Sequence, residues 1–267
     1  SRVLEGTIKD VPGIVFKTFQ NGHILGSRSI LMSFTNENGQ QKNVLFSGDL
    51  GNYDKPFSPH GNPVTDERQK IDAVFCETTY GGTLRNESYY QDGLKKFIDD
   101  IKIEISKGKT VIIPAFAMDR SQEILYQLRN LVGAPVYYDT KIGNMVLPIY
   151  ESNIQIYKES VLKYSILTDE NRGEFFKKPN AKIVVVSSGM CNGGPVIEHL
   201  MKYIGDENAV FMLTGYMSPN TIGGKLYKGT KLIYLRNKPF EVKAKVLSYN
   251  FFSSHGDEKS LLRWLEG

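Results

Sequence analysis

The order of apolar and polar positions divides the chain into three stretches. Ile14–Phe19, Ser29–Phe34 and Asn43–Phe46 are short β-rich runs interrupted by Gly and Asn, the pattern of successive strands joined by turns. The next apolar run, Ile71 to Cys76, stops at Glu77. The register then changes to Leu94, Phe97, Ile98, Ile101 and Ile105, which predicts a helix with one apolar face. From Thr110 the two patterns alternate. Strands are predicted at Val111–Ile113, Val136–Tyr138, Ile183–Val186 and Ala209–Leu213, with helical or polar segments between them. One helix is centred on Ile124, Leu125 and Leu128, and another begins at Pro195 after Gly193-Gly194. Such alternation predicts parallel strands with helical crossovers. The end returns to strands at Lys231–Leu235 and at Val242, Ala244 and Val246. It closes on a helix with Asp257 as N-cap and Leu261, Leu262, Leu265 and Trp264 as its apolar side. The expected fold class is α/β, divided as 1–80, 81–228 and 229–267.

Length and composition narrow this only slightly. At 267 residues the chain lies near the size where one core splits into two, and 40% hydrophobic with 23% charged residues is ordinary for a globular enzyme. The excess of 33 Lys+Arg over 29 Asp+Glu gives +4, compatible with a polyanionic partner without identifying one. Cys76 and Cys191 form neither a C-x-x-C pair nor a disulfide framework and read as reduced thiols. No apolar run approaches the roughly 20 residues that cross a bilayer, and Ser1-Arg2-Val3-Leu4-Glu5-Gly6 has no signal-peptide pattern. A cytoplasmic protein without a membrane partner is expected. The start, without Met and in mid-pattern, suggests a piece of a longer polypeptide.

Four histidines are available for chemistry. His23 follows Gly22 and precedes an apolar pair, a setting that suits either a metal ligand or a satisfied core imidazole. His60 and His199 read as structural or exposed. Asp49, in Ser47-Gly48-Asp49-Leu50-Gly51, ends a strand between glycines, where its carboxylate can emerge toward a ligand or close an Asx turn. Glu77 closes a buried strand, so its carboxylate needs a partner or solvent. His255 lies in Phe252-Ser253-Ser254-His255-Gly256-Asp257. Two glycine-rich loops, Ser187 to Pro195 and Gly215 to Gly224, each follow a strand. The first runs into a helix whose N-terminal amides can receive a phosphate, a tight-turn role being equally open.

These pieces in this order resemble the β-CASP nucleases of the metallo-β-lactamase fold. Gly22-His23-Ile24-Leu25-Gly26-Ser27, Phe46 to Gly51 and Glu77-Thr78-Thr79-Tyr80-Gly81 are similar to the family's middle motifs. Pro114 to Glu123, Ser187-Ser188-Gly189-Met190 with Gly193-Gly194-Pro195, Thr214-Gly215-Tyr216, Thr221-Ile222-Gly223 and Phe252 to Asp257 continue the resemblance over nearly the whole chain. It implies a partial αββα metallo-β-lactamase core with an inserted β-CASP α/β domain, acting as a zinc-dependent hydrolase of single-stranded RNA, with DNA as a further substrate and a homo-oligomer compatible. It further implies two zinc ions, with His23 as a ligand and Asp49 bridging both. Glu77 matches the family's acidic residue and His255 the histidine paired with it, while Ser188, Gly189, Gly193 and Gly194 would contact substrate.

The chain also departs from the family. The leading His-x-His-x-Asp-His cluster is absent, and so is the His-Gly-Glu segment expected beyond the Trp264 helix. With His23 and Asp49 as its only recognised ligands, the chain is expected to be inactive alone, since a tetrahedral zinc site takes three or four protein donors. The other class consistent with these departures is a non-catalytic RNA-binding or scaffold paralogue.

Overall fold

The computed structural model describes residues 4–7, 13–52, 55, 70–155 and 163–266; His60 lies outside the described residues. Two compact units result, one formed by Ser1–Glu87 with Ser253–Gly267 and the other by Ser88–Phe252.

In the first unit, β1 (Leu4–Thr7), β2 (Val15–Gln20), β3 (Arg28–Thr35) and β4 (Gln41–Phe46) pair antiparallel in sequence order, and β5 (Ala73–Phe75) joins β4 in parallel. Alternation along these strands sends Leu31 and Leu45 to one face. There they pack with Leu50 and with Leu261 and Trp264 of the closing helix α7 (Glu258–Leu265). The opposite face is apolar as well: Ile30, Phe46 and Phe75 are exposed, and the rings of Phe46 and Phe75 stack at 5.0 Å. Because β4 and β5 run in parallel, their C-terminal ends emerge together, carrying Ser47-Gly48-Asp49 and Cys76-Glu77 to the same edge.

The second unit begins with α1 (Tyr89–Ser106). It continues through β6 (Thr110–Pro114), α2 (Arg120–Leu128), β7 (Val136–Asp139), α3 (Lys141–Asn153), β8 (Ser165–Ile166) and α4 (Arg172–Lys177). There follow β9 (Ile183–Val186), α5 (Val196–Tyr203), β10 (Ala209–Thr214), α6 (Ile222–Tyr227), β11 (Leu232–Leu235), β12 (Lys238–Glu241) and β13 (Lys245–Tyr249). Its main sheet is parallel with order β13-β10-β6-β9-β7-β8. Strands covered on both faces read as unbroken apolar runs, and Ile112, Val184, Val186, Phe211 and Leu213 are wholly buried. All the glycine- and proline-marked motifs of this unit, after Pro114, Val186 and Thr214, leave the C-terminal ends of neighbouring strands. In an open parallel sheet that edge is where ligands bind.

The chain end differs from the sequence expectation of a strand through Val242, Ala244 and Val246. Lys238–Glu241 instead folds back on Leu232–Leu235 about Arg236 and Asn237, whose φ values are 48° and 62°. The N–H groups of Lys243 and Ala244 then bond to the Ile204 carbonyl, which keeps them out of a ladder until Lys245. From there β13 adds in parallel to β10, so everything up to Phe252 stays with the second unit.

Candidate active site

Three loop segments of the first unit lie side by side. Gly22 bridges to Leu50 and Gly51 to His255, with Gly51 N–H donating to Asn21 O at 2.9 Å and Gly256 N–H to Leu50 O at 2.9 Å. Gly51 is required by this approach, because a Cβ there would lie 2.1 Å from the carbonyl carbon and oxygen of Gly22. Beneath them Ser47 ties the two strand ends together. Its carbonyl accepts from Asn21 Nδ2 at 3.0 Å and Ser29 Oγ at 2.7 Å, and its hydroxyl accepts the Glu77 N–H at 2.9 Å.

This scaffold brings together the four residues singled out from the sequence. His23 Nε2 lies 3.7 Å from Asp49 Oδ2, and the His23 and His255 rings are 4.5 Å apart between centroids. His255 Nδ1 contacts both oxygens of Glu77, at 3.2 and 3.1 Å. His23, Asp49 and His255 each offer a ligand atom, all within 4.8 Å of one another. Glu77 also accepts the N–H groups of Leu50 and Thr79. Burial pushes its carboxyl up, but the bonds from His255, Thr79 and Leu50 outweigh that and hold it at about 2, so Glu77 is ionised at neutral pH.

Around this group are residues that local sequence pattern does not reveal. Arg85 Nη1 donates to the His255 carbonyl at 2.9 Å, its backbone N–H donates to Asp257 Oδ2 at 3.1 Å, and its guanidinium lies 4.7 Å from the centre of the Tyr80 ring. Glu258 N–H donates to Thr83 O at 3.0 Å. These hydrogen bonds join positions 170 or more residues apart in the chain, which only the fold can place.

In the second unit the loop after β9 holds Ser188, Gly189, Gly193 and Gly194. It closes on itself, with Ser188 N–H donating to Gly193 O at 3.3 Å and Val196 N–H to Ser187 O at 2.9 Å. His199 is fully buried, with Nε2 2.8 Å from Asp139 Oδ2, and Arg172 clasps the same carboxylate through Nε at 2.6 Å and Nη2 at 2.8 Å. The only hint in the sequence was an acid at a strand end. Cys76 and Cys191 are free thiols. No helix among the described residues is long and apolar enough to cross a membrane.

The α/β architecture, with a parallel-sheet unit inserted between the segments that build the histidine–carboxylate group, is consistent with an inserted α/β domain in a metallo-β-lactamase fold. Residues 121–226 match the Beta-Casp domain family. It is 27% identical to a ribonuclease of Thermus thermophilus, over 93% of this chain and 59% of that protein. It is 30% identical to an RNase J-like protein of Methanocaldococcus jannaschii, over 95% of this chain and 61% of the relative. A transcription termination factor of Methanosarcina mazei is 26% identical over 97% of this chain and 44% of its own length. The chain thus spans about three-fifths or less of the length of these relatives.

Proposed function

We propose that the chain is the larger part of a metal-dependent hydrolase of single-stranded RNA, with His23, Asp49, Glu77 and His255 as its reacting groups. The observation that carries this reading is the convergence of two imidazoles and a carboxylate within 4.8 Å, with Glu77 bound to one of those imidazoles. Relatives named as ribonucleases support RNA as the substrate. The sheet of the first unit, apolar on both faces, fits a partial metallo-β-lactamase core, since each such face demands a packed layer. The segment Ser88–Phe252 fits the inserted β-CASP domain.

The donor set suits zinc. Imidazole nitrogen and carboxylate oxygen are donors that zinc takes in catalytic sites with a place left for water. His23 and Asp49 would hold the metal, which the resemblance puts at two zinc ions. When bound, zinc would make water nucleophilic near neutral pH and neutralise charge on the phosphate. Glu77, ionised, fixes the ring of His255 through Nδ1. Nε2 of His255 is then the atom that gives a proton to the departing ribose oxygen as the phosphorus–oxygen bond breaks and the water oxygen joins phosphorus. The loop containing Ser188, Gly189, Gly193 and Gly194 is proposed to lie against RNA phosphates.

The test is zinc content by mass spectrometry, combined with cleavage of end-labelled single-stranded RNA by the 267-residue chain and by a version extended to the relatives' length. Zinc binding with RNA cleavage by either form, lost in Asp49→Ala, supports the proposal. RNA bound but left intact by a zinc-loaded extended protein would select a binding or scaffold role and overturn it.

A further inference from the structure

The outer edge of β13 borders a groove of about 320 Å³ within the second unit. Every residue from Val242 to Ser248 lines it. Successive side chains of a strand point to opposite faces, so a groove on one face would be lined by alternate residues. β13 begins at Lys245, and its consecutive residues Lys245 to Ser248 all line the groove, which therefore runs along the strand's edge. Among the described residues no strand pairs with that edge, and an edge strand presents a row of N–H and C=O groups to whatever lies beside it. The floor is apolar: Leu226 and Ala244 are buried, and Val242 and Val246 are partly so.

The rim is charged with one sign. Three of the twelve lining residues are lysines, Lys231, Lys243 and Lys245, and none is a carboxylate. Lys245 is tied to Glu104 at 2.7 Å and Lys243 pairs with Glu241 at 3.3 Å. The remaining positive charge therefore lies at Lys231, with exposed Lys225 and Lys228 preceding it in the chain. Lysines on an edge also repel chance strand pairing, but they do so for neutral and basic strands and not for an acidic one. A nucleic-acid strand would use the lysines and leave the apolar floor and backbone edge unused.

We propose that this groove is a docking site for an extended acidic peptide segment of a partner protein, added as a strand beside β13. Backbone hydrogen bonds would hold it, alternate apolar side chains would enter the groove, and carboxylates would face the lysines.

A fluorescein-labelled peptide of about ten residues, alternating Glu and Val, is long enough to pair along the whole strand. Titrating it with the 267-residue chain should raise its anisotropy to saturation and slow amide exchange at residues 245–248. Changing Lys231→Glu and Lys243→Glu together, both on the surface, should weaken binding by ~10-fold or more. The same peptide N-methylated at alternate amides should not bind, a control that leaves the protein's own folding untouched. Equal binding of the N-methylated peptide overturns strand addition. No peptide binding, or Lys231-dependent binding of oligouridylate RNA in its place, overturns the proposal in favour of an empty edge or a nucleic-acid surface.

Discussion

Asp139 illustrates how much one buried residue can depend on its partners. Its side chain is 2% exposed, and it is stabilised as an anion by Arg172, itself 12% exposed, and by His199. Burial pushes the Asp139 carboxyl up, but the Arg172 and His199 bonds outweigh it and leave it below its ordinary 3.8. His199 moves down from 6.5 because burial penalises its cation, so it is neutral and donates Nε2–H to Asp139. Both shifts are depressions on folding, and both contributions to stability act with the same sign. That from His199 is complete above 6.5 and that from Asp139 above 3.8, and each is lost as pH falls through the lower folded value. The urea midpoint of the chain should therefore fall as pH drops below ~7 and fall further below ~4, with the upper part of the fall flattened in His199→Gln. Arg172→Met should cost ~3–5 kcal/mol at neutral pH, because it leaves a buried carboxylate without its main counter-charge. A loss below ~1 kcal/mol by urea denaturation would show that Asp139 is solvated or protonated. In the other unit, His255→Ala should leave the fold unchanged and reduce any RNA cleavage by the ~10²–10⁴-fold typical of a lost general acid. Unchanged cleavage would remove His255 from the mechanism.

At the scale of elements, the start of α7 does two things at once. Asp257 Oδ1 caps the helix by accepting from Ser260 N–H at 3.0 Å and Ser260 Oγ at 2.7 Å, while Oδ2 accepts the Arg85 N–H. Losing the cap alone costs ~1 kcal/mol. Asp257→Ala should lose that and also release Arg85 from beside His255, whereas Asp257→Asn keeps an acceptor oxygen and most of the stability. Thermal unfolding of the two variants checks this, and equal losses would mean that charge rather than capping is what matters. The cap was legible because N-capping is written in adjacent residues. The β11–β12 hairpin was not, since Leu235-Arg236-Asn237-Lys238 lacks the Asn-Gly signature of a turn with two positive φ angles, and Pro239 argues against a strand. Pro239 is tolerated there because the hairpin has only two strands. The long parallel strands were readable from their unbroken apolar runs. The two-residue β8 had no pattern to read.

For the molecule as a whole, the residues His23, Asp49, Glu77 and His255 could be chosen from the sequence because their motifs recur in a known order. Their meeting could not be derived from local pattern, since His255 reaches Glu77 across 178 positions. Sequence reasoning also treated His255 only as the partner of Glu77 and counted two metal donors. The fold brings its imidazole within reach of the His23 imidazole and the Asp49 carboxylate, so that in the chain without substrate its Nε2 can serve as a third donor in place of carrying a proton. That difference has a measurable consequence in the unextended chain, independent of catalysis. Two donors give weak and unselective binding, whereas three donors within reach of one ion should give a defined site. A ligand that binds only the folded state stabilises it by ~2.7 kcal/mol at a hundredfold excess over its dissociation constant. Zn²⁺ should accordingly raise the unfolding midpoint of the 267-residue chain, a chelator should reverse the rise, and Mg²⁺, which prefers oxygen donors, should have little effect. His23→Ala, Asp49→Ala and His255→Ala should each abolish the zinc effect while leaving the metal-free midpoint close to that of the parent. If only His23→Ala and Asp49→Ala abolish it, His255 is the proton donor alone and the metal is held by two donors of this chain. If none does, the zinc lies elsewhere and the proposed centre is wrong.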